Sequence, residues 1–234
     1  MKKDLSWIDL GLISYEKAFN LQEKIHQKCV DDSWTDTLLF QENDPIITLG
    51  RGSHEKNLLY TPKELASMGI ELTSVSRGGD ISYHGNGQLI VSPILHFERY
   101  IKGAHHYVRC LEQVVINLLG NYGLQGKRIK GRSGVWVKDP NTAEDCKISA
   151  LGIAISHGVT LHGMSINVNP NLKHFSTIIP CGIEDKGVTS MKACGIIPPS
   201  LTEVRDQFIL AFDAMFGTQT TKQTIDKIMN FKEN

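Results

Sequence analysis

The sequence predicts a single α/β domain with mixed sheets over residues 1–234, and three observations carry that prediction. Strand-like and helix-like segments intermingle without a strict βα alternation. No repeat, low-complexity tract or linker composition divides the chain. Each helix-like segment keeps its apolar residues at helical spacing, so each has one face for a shared core.

The elements follow in order. Residues 14–30 set Tyr15, Ala18, Phe19, Ile25 and Cys29 near helical spacing, which predicts an amphipathic helix. Thr37 to Phe40 and Pro45 to Leu49 read as a strand pair around the turn residues Asn43 and Asp44. Thr61-Pro62-Lys63-Glu64 is a capping-box helix start with proline at the first helical position, and Gly69 is its natural stop. Residues 73–97 are glycine-punctuated and strand-like. A helix around 105–120 puts Val108, Leu111, Val115, Leu118 and Leu119 on one face. Val135 and Val137 mark a strand, and Lys147 to Ile155 another. Met164, Ile166 and Val168 alternate with Ser165, Asn167 and Asn169, the period of a half-buried strand. Pro198 and Pro199 precede a second capping box, Ser200-Leu201-Thr202-Glu203. Val204, Phe208, Phe212 and Met215 carry that helix to Gly217, and a short amphipathic tail holds Ile225, Ile228 and Met229.

Composition narrows the function classes. Lys plus Arg and Asp plus Glu are 25 each, so net charge argues against a nucleic-acid footprint. No apolar run approaches the roughly 20 residues of a membrane span. MKKDLSWIDLG has two lysines with no apolar run behind them, so it is read as neither signal nor transit peptide. A soluble cytoplasmic protein is expected. The five cysteines, Cys29, Cys110, Cys146, Cys181 and Cys194, form no C-x-x-C pair and no disulfide pattern. Reduced thiols fit best. No histidine pair has metal spacing with a third ligand, so no metal is expected.

Three segments spend glycine, histidine and charge where a core would spend aliphatics. The first is Arg77-Gly78-Gly79-Asp80-Ile81-Ser82-Tyr83-His84-Gly85-Asn86-Gly87-Gln88-Leu89. Locally it reads equally as a tight hairpin or as a ligand-facing loop. It matches neither the dinucleotide fingerprint nor a Walker loop. The second is Cys146-Lys147-Ile148-Ser149-Ala150-Leu151-Gly152-Ile153, where a lysine leads an apolar strand. The third is Ile178-Ile179-Pro180-Cys181-Gly182-Ile183, which holds a cysteine on a shaped turn. A lone cysteine is more often a small buried apolar residue than a nucleophile. Gly163-Met164-Ser165-Ile166-Asn167 lacks the last glycine of a serine-hydrolase elbow.

Taken together, these segments resemble the lipoyl(octanoyl) transferase family. The matches are Arg-Gly-Gly…Tyr-His-Gly-x-Gly-Gln at 77–88, Lys-Ile…Leu-Gly at 147–152, His162-Gly163-Met164…Asn167, Pro180-Cys181-Gly182 and Gly187-Val188-Thr189-Ser190-Met191. They occur in the family's order and cover about residues 77–191. Asn86 stands where the family usually has proline, and Ser82 where threonine is commoner.

The resemblance implies the biotin/lipoate protein ligase-like fold and catalytic roles for Cys181 and Lys147. It implies substrate contacts from Arg77, Gly78, Gly79, Asp80, Ile81, Ser82, Tyr83 and His84, from Ala150, Leu151 and Gly152, and from His162, Gly163 and Met164. The implied reaction takes octanoyl from acyl carrier protein to a lysine of lipoyl domains, through an acyl-Cys181 thioester. Acceptors would be lipoyl domains of 2-oxoacid dehydrogenase complexes and the glycine cleavage carrier protein. No cofactor and a monomer are expected. Leu151, Ile153 and Met164 are expected walls of an acyl slot, and Gly152 an oxyanion donor. The basic run Lys127-Arg128-Ile129-Lys130-Gly131-Arg132 is a candidate docking patch for an acidic carrier protein. Two other readings stand beside this one. An ATP-dependent lipoate or biotin protein ligase would need no nucleophilic cysteine. A non-catalytic binding module for acylated carriers would form no covalent adduct.

Overall fold

The computed structural model of the chain describes residues 3–182 and 186–226, with Cys181 described through its backbone alone. In chain order the elements are β1 Lys3–Leu12, α1 Tyr15–Val30, β2 Thr37–Glu42, β3 Ile46–Leu49, α2 Pro62–Ser67, β4 Glu71–Ser74, β5 Ile81–His84 and β6 Gln88–Ile94. They continue with α3 Ala104–Asn121, β7 Lys127–Ile129, β8 Arg132–Lys138, β9 Asp145–Ser156, β10 Val159–Asn167, α4 Leu201–Phe216 and β11 Thr218–Lys222. Among the described residues the strands form an eight-stranded sheet, ordered β11-β1-β2-β6-β10-β9-β8-β7, and a three-stranded sheet, ordered β4-β3-β5. The large sheet is mixed: β1 runs parallel to β11 and β2, while the pairs from β2 to β7 are antiparallel.

Both faces of the large sheet are covered. On one face Phe40, Val91, Met164 and Ile166 pack with Val114 and Leu118 of α3 and Phe208 and Phe212 of α4. On the other, Leu39 and Ile94 meet Ile25 and Cys29 of α1. This double cover changes one expectation. β10 is not half-buried: Ser165 and Asn167 are as hidden as Met164 and Ile166. Asn167 can sit there because its amide is satisfied, donating to Thr189 O at 2.9 Å and accepting from Gln88 Nε2 at 2.8 Å.

The helix ends follow the caps read from the sequence. Thr61 and Glu64 make both bonds of a capping box. Ser200 caps α4 by accepting from Glu203 N–H at 3.1 Å, but the Glu203 carboxylate turns to the Tyr122 hydroxyl, so that box is half made. Gly217 ends α4 in the left-handed conformation. Of the expected tail, Ile228 and Met229 lie outside the described residues.

The expected pairing of the second and third strands is corrected. β2 lies between β1 and β6 in the large sheet, whereas β3 lies between β4 and β5 in the small one. The intervening corner is held by buried Asn43, which accepts from Gln41 Nε2 at 2.9 Å and donates to Ile13 O at 2.6 Å. Asn43 and Asp44 thus turn the chain from one sheet to the other. β1 and β11 went unread in the sequence: β1 supplies residues to both faces, and β11 is the polar edge strand TQTTK.

Candidate active site

A cleft of about 540 Å³ opens between α1, the α1-facing side of the large sheet, and the loops of the small sheet. Its floor follows from strand register. Gln41 pairs with Ile90, Ile90 with Ser165, and Ser165 with Ala150, so these four form one rung across β2, β6, β10 and β9. Gly163 and Gly152 pair on the next rung. Serine, alanine and glycine leave the floor low where larger side chains would fill it. Gly163 is also a close approach: a Cβ there would stand 2.0 Å from Val91 O. Leu151 and Met164 border the cleft, but with Ile153 they pack in the α3/α4 cluster. The slot is therefore bounded more by absent side chains than by those three apolar walls.

Two predicted residues reach the cleft through breaks in strand alternation. Met164 faces α3 and α4, and its partner Leu151 shares that face. Ser149 pairs with Val135 on the same side, so strict alternation would send Lys147 there too. A register shift instead pairs Lys147 with Trp136, and its ammonium lies 4.9 Å from the Trp136 ring centre. The bulge turns Lys147 into the cleft, where it is 5% exposed. His162 behaves likewise. Two residues before Met164, it takes φ +59° and stacks on Phe19 of α1 at 5.2 Å. Its Nε2 meets Ser76 Oγ at 3.1 Å, and Gln22 Oε1 accepts its backbone N–H at 3.3 Å.

The glycine-rich segment closes the cleft from the small sheet. Arg77 ties it together: the guanidinium donates to Thr48 O and Oγ1, both at 2.8 Å, and to Asp80 O at 2.7 Å and Gly78 O at 3.1 Å. Gly78 N–H donates to Ile153 O at 3.1 Å, pinning the loop to β9. Gly79, Asp80, Ser82 and His84 line the cleft, while Ile81 and Tyr83 point into the small-sheet core. Tyr83 OH lies 2.8 Å from His174 Nδ1. Gly85 to Gln88 form a tight turn, with Gln88 N–H donating to Gly85 O at 3.2 Å and Gly87 at φ +86°. Asn86 takes the second seat of that turn, the one proline favours.

Burial holds His162 down to about 4, with the Arg77 and Arg51 charges adding to the effect, and holds His84 down to about 3, again helped by Arg77. Both are neutral at pH 7. The sign of the stability effect follows. Between about pH 6.5 and pH 4 an unfolded histidine takes up a proton that folded His162 does not, so stability falls as pH falls through that window. Above the unfolded value there is no slope from these groups. Denaturant titration at pH 7 and pH 5 should show His162→Asn losing less stability on acidification than the parent, by on the order of 2 kcal/mol.

Pro180–Gly182 forms a short 3-10 turn in which Gly182 N–H donates to Ile179 O at 3.0 Å. Gly182 and Lys147 line the same cleft. The chain returning from that turn clasps Lys147: its N–H donates to Gly187 O and its O accepts from Thr189 N–H, both at 2.9 Å. On the other side, Asn57 O accepts from Ile179 N–H at 2.8 Å and Leu59 N–H donates to Thr177 O at 2.9 Å. The family-matched segments 147–152 and 187–191 thus meet at one isolated parallel bridge, Lys147 with Val188.

Two residues here escaped the sequence reading. Asn57 is one, and loop asparagines carry no local signal beyond turn formation. The other is Glu112, an acid beside Leu111 on the apolar face of α3. It is fully buried and accepts from Arg109 at 2.7 Å, Arg128 at 3.1 Å and Gly134 N–H at 3.0 Å. Two cations of the basic run are therefore engaged within the fold: Arg128 with Glu112, and Lys127 with Asp145 at 2.7 Å. Glu112→Ala should cost about 1–3 kcal/mol in denaturant unfolding, because it leaves the buried Gly134 amide without its acceptor.

Among the described residues no three His, Cys, Asp or Glu side chains gather as a metal site. No described helix is long and apolar enough to cross a membrane.

The lipoyl protein ligase A/B catalytic domain model matches residues 14–213. The chain belongs to that family. Within it, an octanoyltransferase of Acidobacterium capsulatum is 38% identical over 224 residues, covering 92% of this chain and 91% of its own length. One from Dictyoglomus thermophilum is 43% identical over 205 residues, covering 88% and 84%. The longer octanoyltransferase of Porphyromonas gingivalis is 42% identical over 195 residues; the match takes in 81% of this chain but only 40% of that protein. Solved structures show the fold. A bipartite lipoate protein ligase from Thermoplasma acidophilum superposes with TM-score 0.69 at 18% identity, covering 97% of this chain and 89% of that one. Lipoate-protein ligase A bound with ATP superposes with TM-score 0.70 at 17% identity, covering 97% and 91%. The fold is thus shared with lipoate protein ligases, one of them bound with ATP, so fold alone does not separate the two readings.

Proposed function

We propose that this chain transfers an octanoyl group from acyl carrier protein to a lysine of lipoyl domains, through a thioester on Cys181 with Lys147 as proton-transfer partner. The observation that carries the reading is the cleft itself. One wall holds the Cys181 turn, another a buried lysine re-aimed by a bulge, and the floor between them is kept low by small residues. Octanoyltransferase relatives at 38–43% identity support the donor and the product. The lipoate protein ligases share the fold at 17–18% identity and say nothing against a transferase.

The chemistry suits these groups. A thiolate attacks the donor thioester, and an ammonium beside it favours that thiolate. Both thioesters have similar energy, so the first step is near reversible. Lysine aminolysis then forms the more stable amide and draws the reaction forward. Proton transfer by Lys147 serves the leaving thiol and the incoming amine in turn. The eight-carbon chain buries its methylenes at roughly 0.8 kcal/mol each in an apolar environment. His84 and His162, both neutral, bound the cleft without presenting a charge to that chain.

Supplying the two possible donors separately tests this against the ligase alternative. Octanoyl-carrier protein should acylate a lipoyl domain without ATP. Free octanoate with ATP should not, and transfer only under the second condition would make the chain a ligase.

A further inference from the structure

We propose that Asn57 receives the incoming amine: its Oδ1 accepts an N–H of the acceptor lysine as that nitrogen attacks the acyl group on Cys181. This rests on the transferase reading above. Asn57 is 2% exposed, lines the cleft, and its Oδ1 is buried with no hydrogen-bond partner among the described residues. A buried orphan acceptor costs about 1–3 kcal/mol, so it is a place where a ligand donor is expected. The amide cannot turn to relieve it, because Nδ2 donates to the Asp80 carboxylate. Asp80 is itself fixed, accepting Ile81 N–H at 2.7 Å and His54 N–H at 3.2 Å.

The pair abuts the nucleophile's turn. A Cβ on Gly182 would stand 3.0 Å from Asp80 Oδ2 and 3.2 Å from Asn57 Nδ2. Asn57 also holds that turn through its backbone carbonyl. An acceptor oxygen calls for a donor, and an octanoyl chain has none. The attacking nitrogen has N–H groups and gains positive charge as its bond forms. An amide oxygen backed by a carboxylate favours that charge where it develops. The step balances: the nitrogen lone pair forms C–N, the C–S bond breaks toward Cys181, and the proton shed by nitrogen reaches that sulfur through Lys147. Asn57 thus acts on the second half-reaction, while the first has no need of it.

The test separates the halves. Parent, Asn57→Ala and Asn57→Ser enzymes are acylated by octanoyl-carrier protein, freed of donor, and followed by intact mass. Deacylation is driven either by a lipoyl domain or by a small thiol such as 2-mercaptoethanol. Acylation and thiol-driven deacylation should stay within about threefold of the parent, while lipoyl-domain deacylation falls roughly ten- to hundredfold. Both variants keep the backbone bond to Ile179, and serine also keeps a polar side chain, so it reads the same ratio if alanine loosens the turn. Equal loss with amine and thiol would make Asn57 merely structural and overturn the proposal. So would unchanged deacylation, or loss confined to acylation. Absence of any adduct in the parent would instead overturn the transferase reading itself.

Discussion

Replacing Cys181 with alanine is expected to abolish octanoyl transfer, with a loss of at least about 10³-fold in kcat. A covalent route through one sulfur leaves no second atom to take its place. The other described cysteines stand elsewhere and differ in kind. Cys29 is buried among the apolar contacts of α1, and burial, with nearby Asp36, pushes its thiol up to about 12. Burial also raises Cys110, Cys146 and Cys194, which disfavours their thiolates. Cys146 is the strictest control because it adjoins Lys147 in the sequence. It pairs with Val137, on the face opposite the Trp136 and Lys147 pair. Cys146→Ala should therefore keep transfer activity, and the two alanine variants should separate in a simple turnover assay.

Replacing Lys147 with alanine should slow transfer by about 10²–10⁴-fold while the protein still folds and binds its acyl donor. The side chain lies over Trp136 and its backbone bonds to Gly187 and Thr189 do not involve the ammonium. The expected signature is a fall in kcat with little change in KM. It should appear in both half-reactions, since in the proposed mechanism the same ammonium serves the leaving thiol and the incoming amine. Retention of full activity would remove lysine from the mechanism. A large rise in KM alone would make it a binding group.

The residues differ in how far the sequence alone revealed them. The helix caps at Thr61 and Ser200 were legible because capping is local chemistry. The double cover of β10 was not, because alternation of Met164, Ile166 and Val168 with polar residues looks the same whether the second face meets water or a satisfied amide network. Cys181 and Lys147 stood out only through the company of other motifs. Thirty-four positions separate them, and strand alternation would have put Lys147 under α3. Only the partner strand's register, with Trp136 opposite, exposes the bulge that turns it around. Asn57 was silent because its meaning is an unpaired oxygen, a property of the fold and not of the residue type. The internal partner of Arg128 in the basic run was hidden for a related reason: the buried anion that engages it lies on a different element.

In the proposed mechanism the octanoyl group rides on Cys181. Intact mass after mixing the enzyme with octanoyl-carrier protein, without acceptor, tests it most directly. One octanoyl adduct per chain, mapped to Cys181 and discharged by a lipoyl domain, is the predicted result. An adduct mapped to Cys146, or a transfer-competent enzyme that carries none, would contradict it.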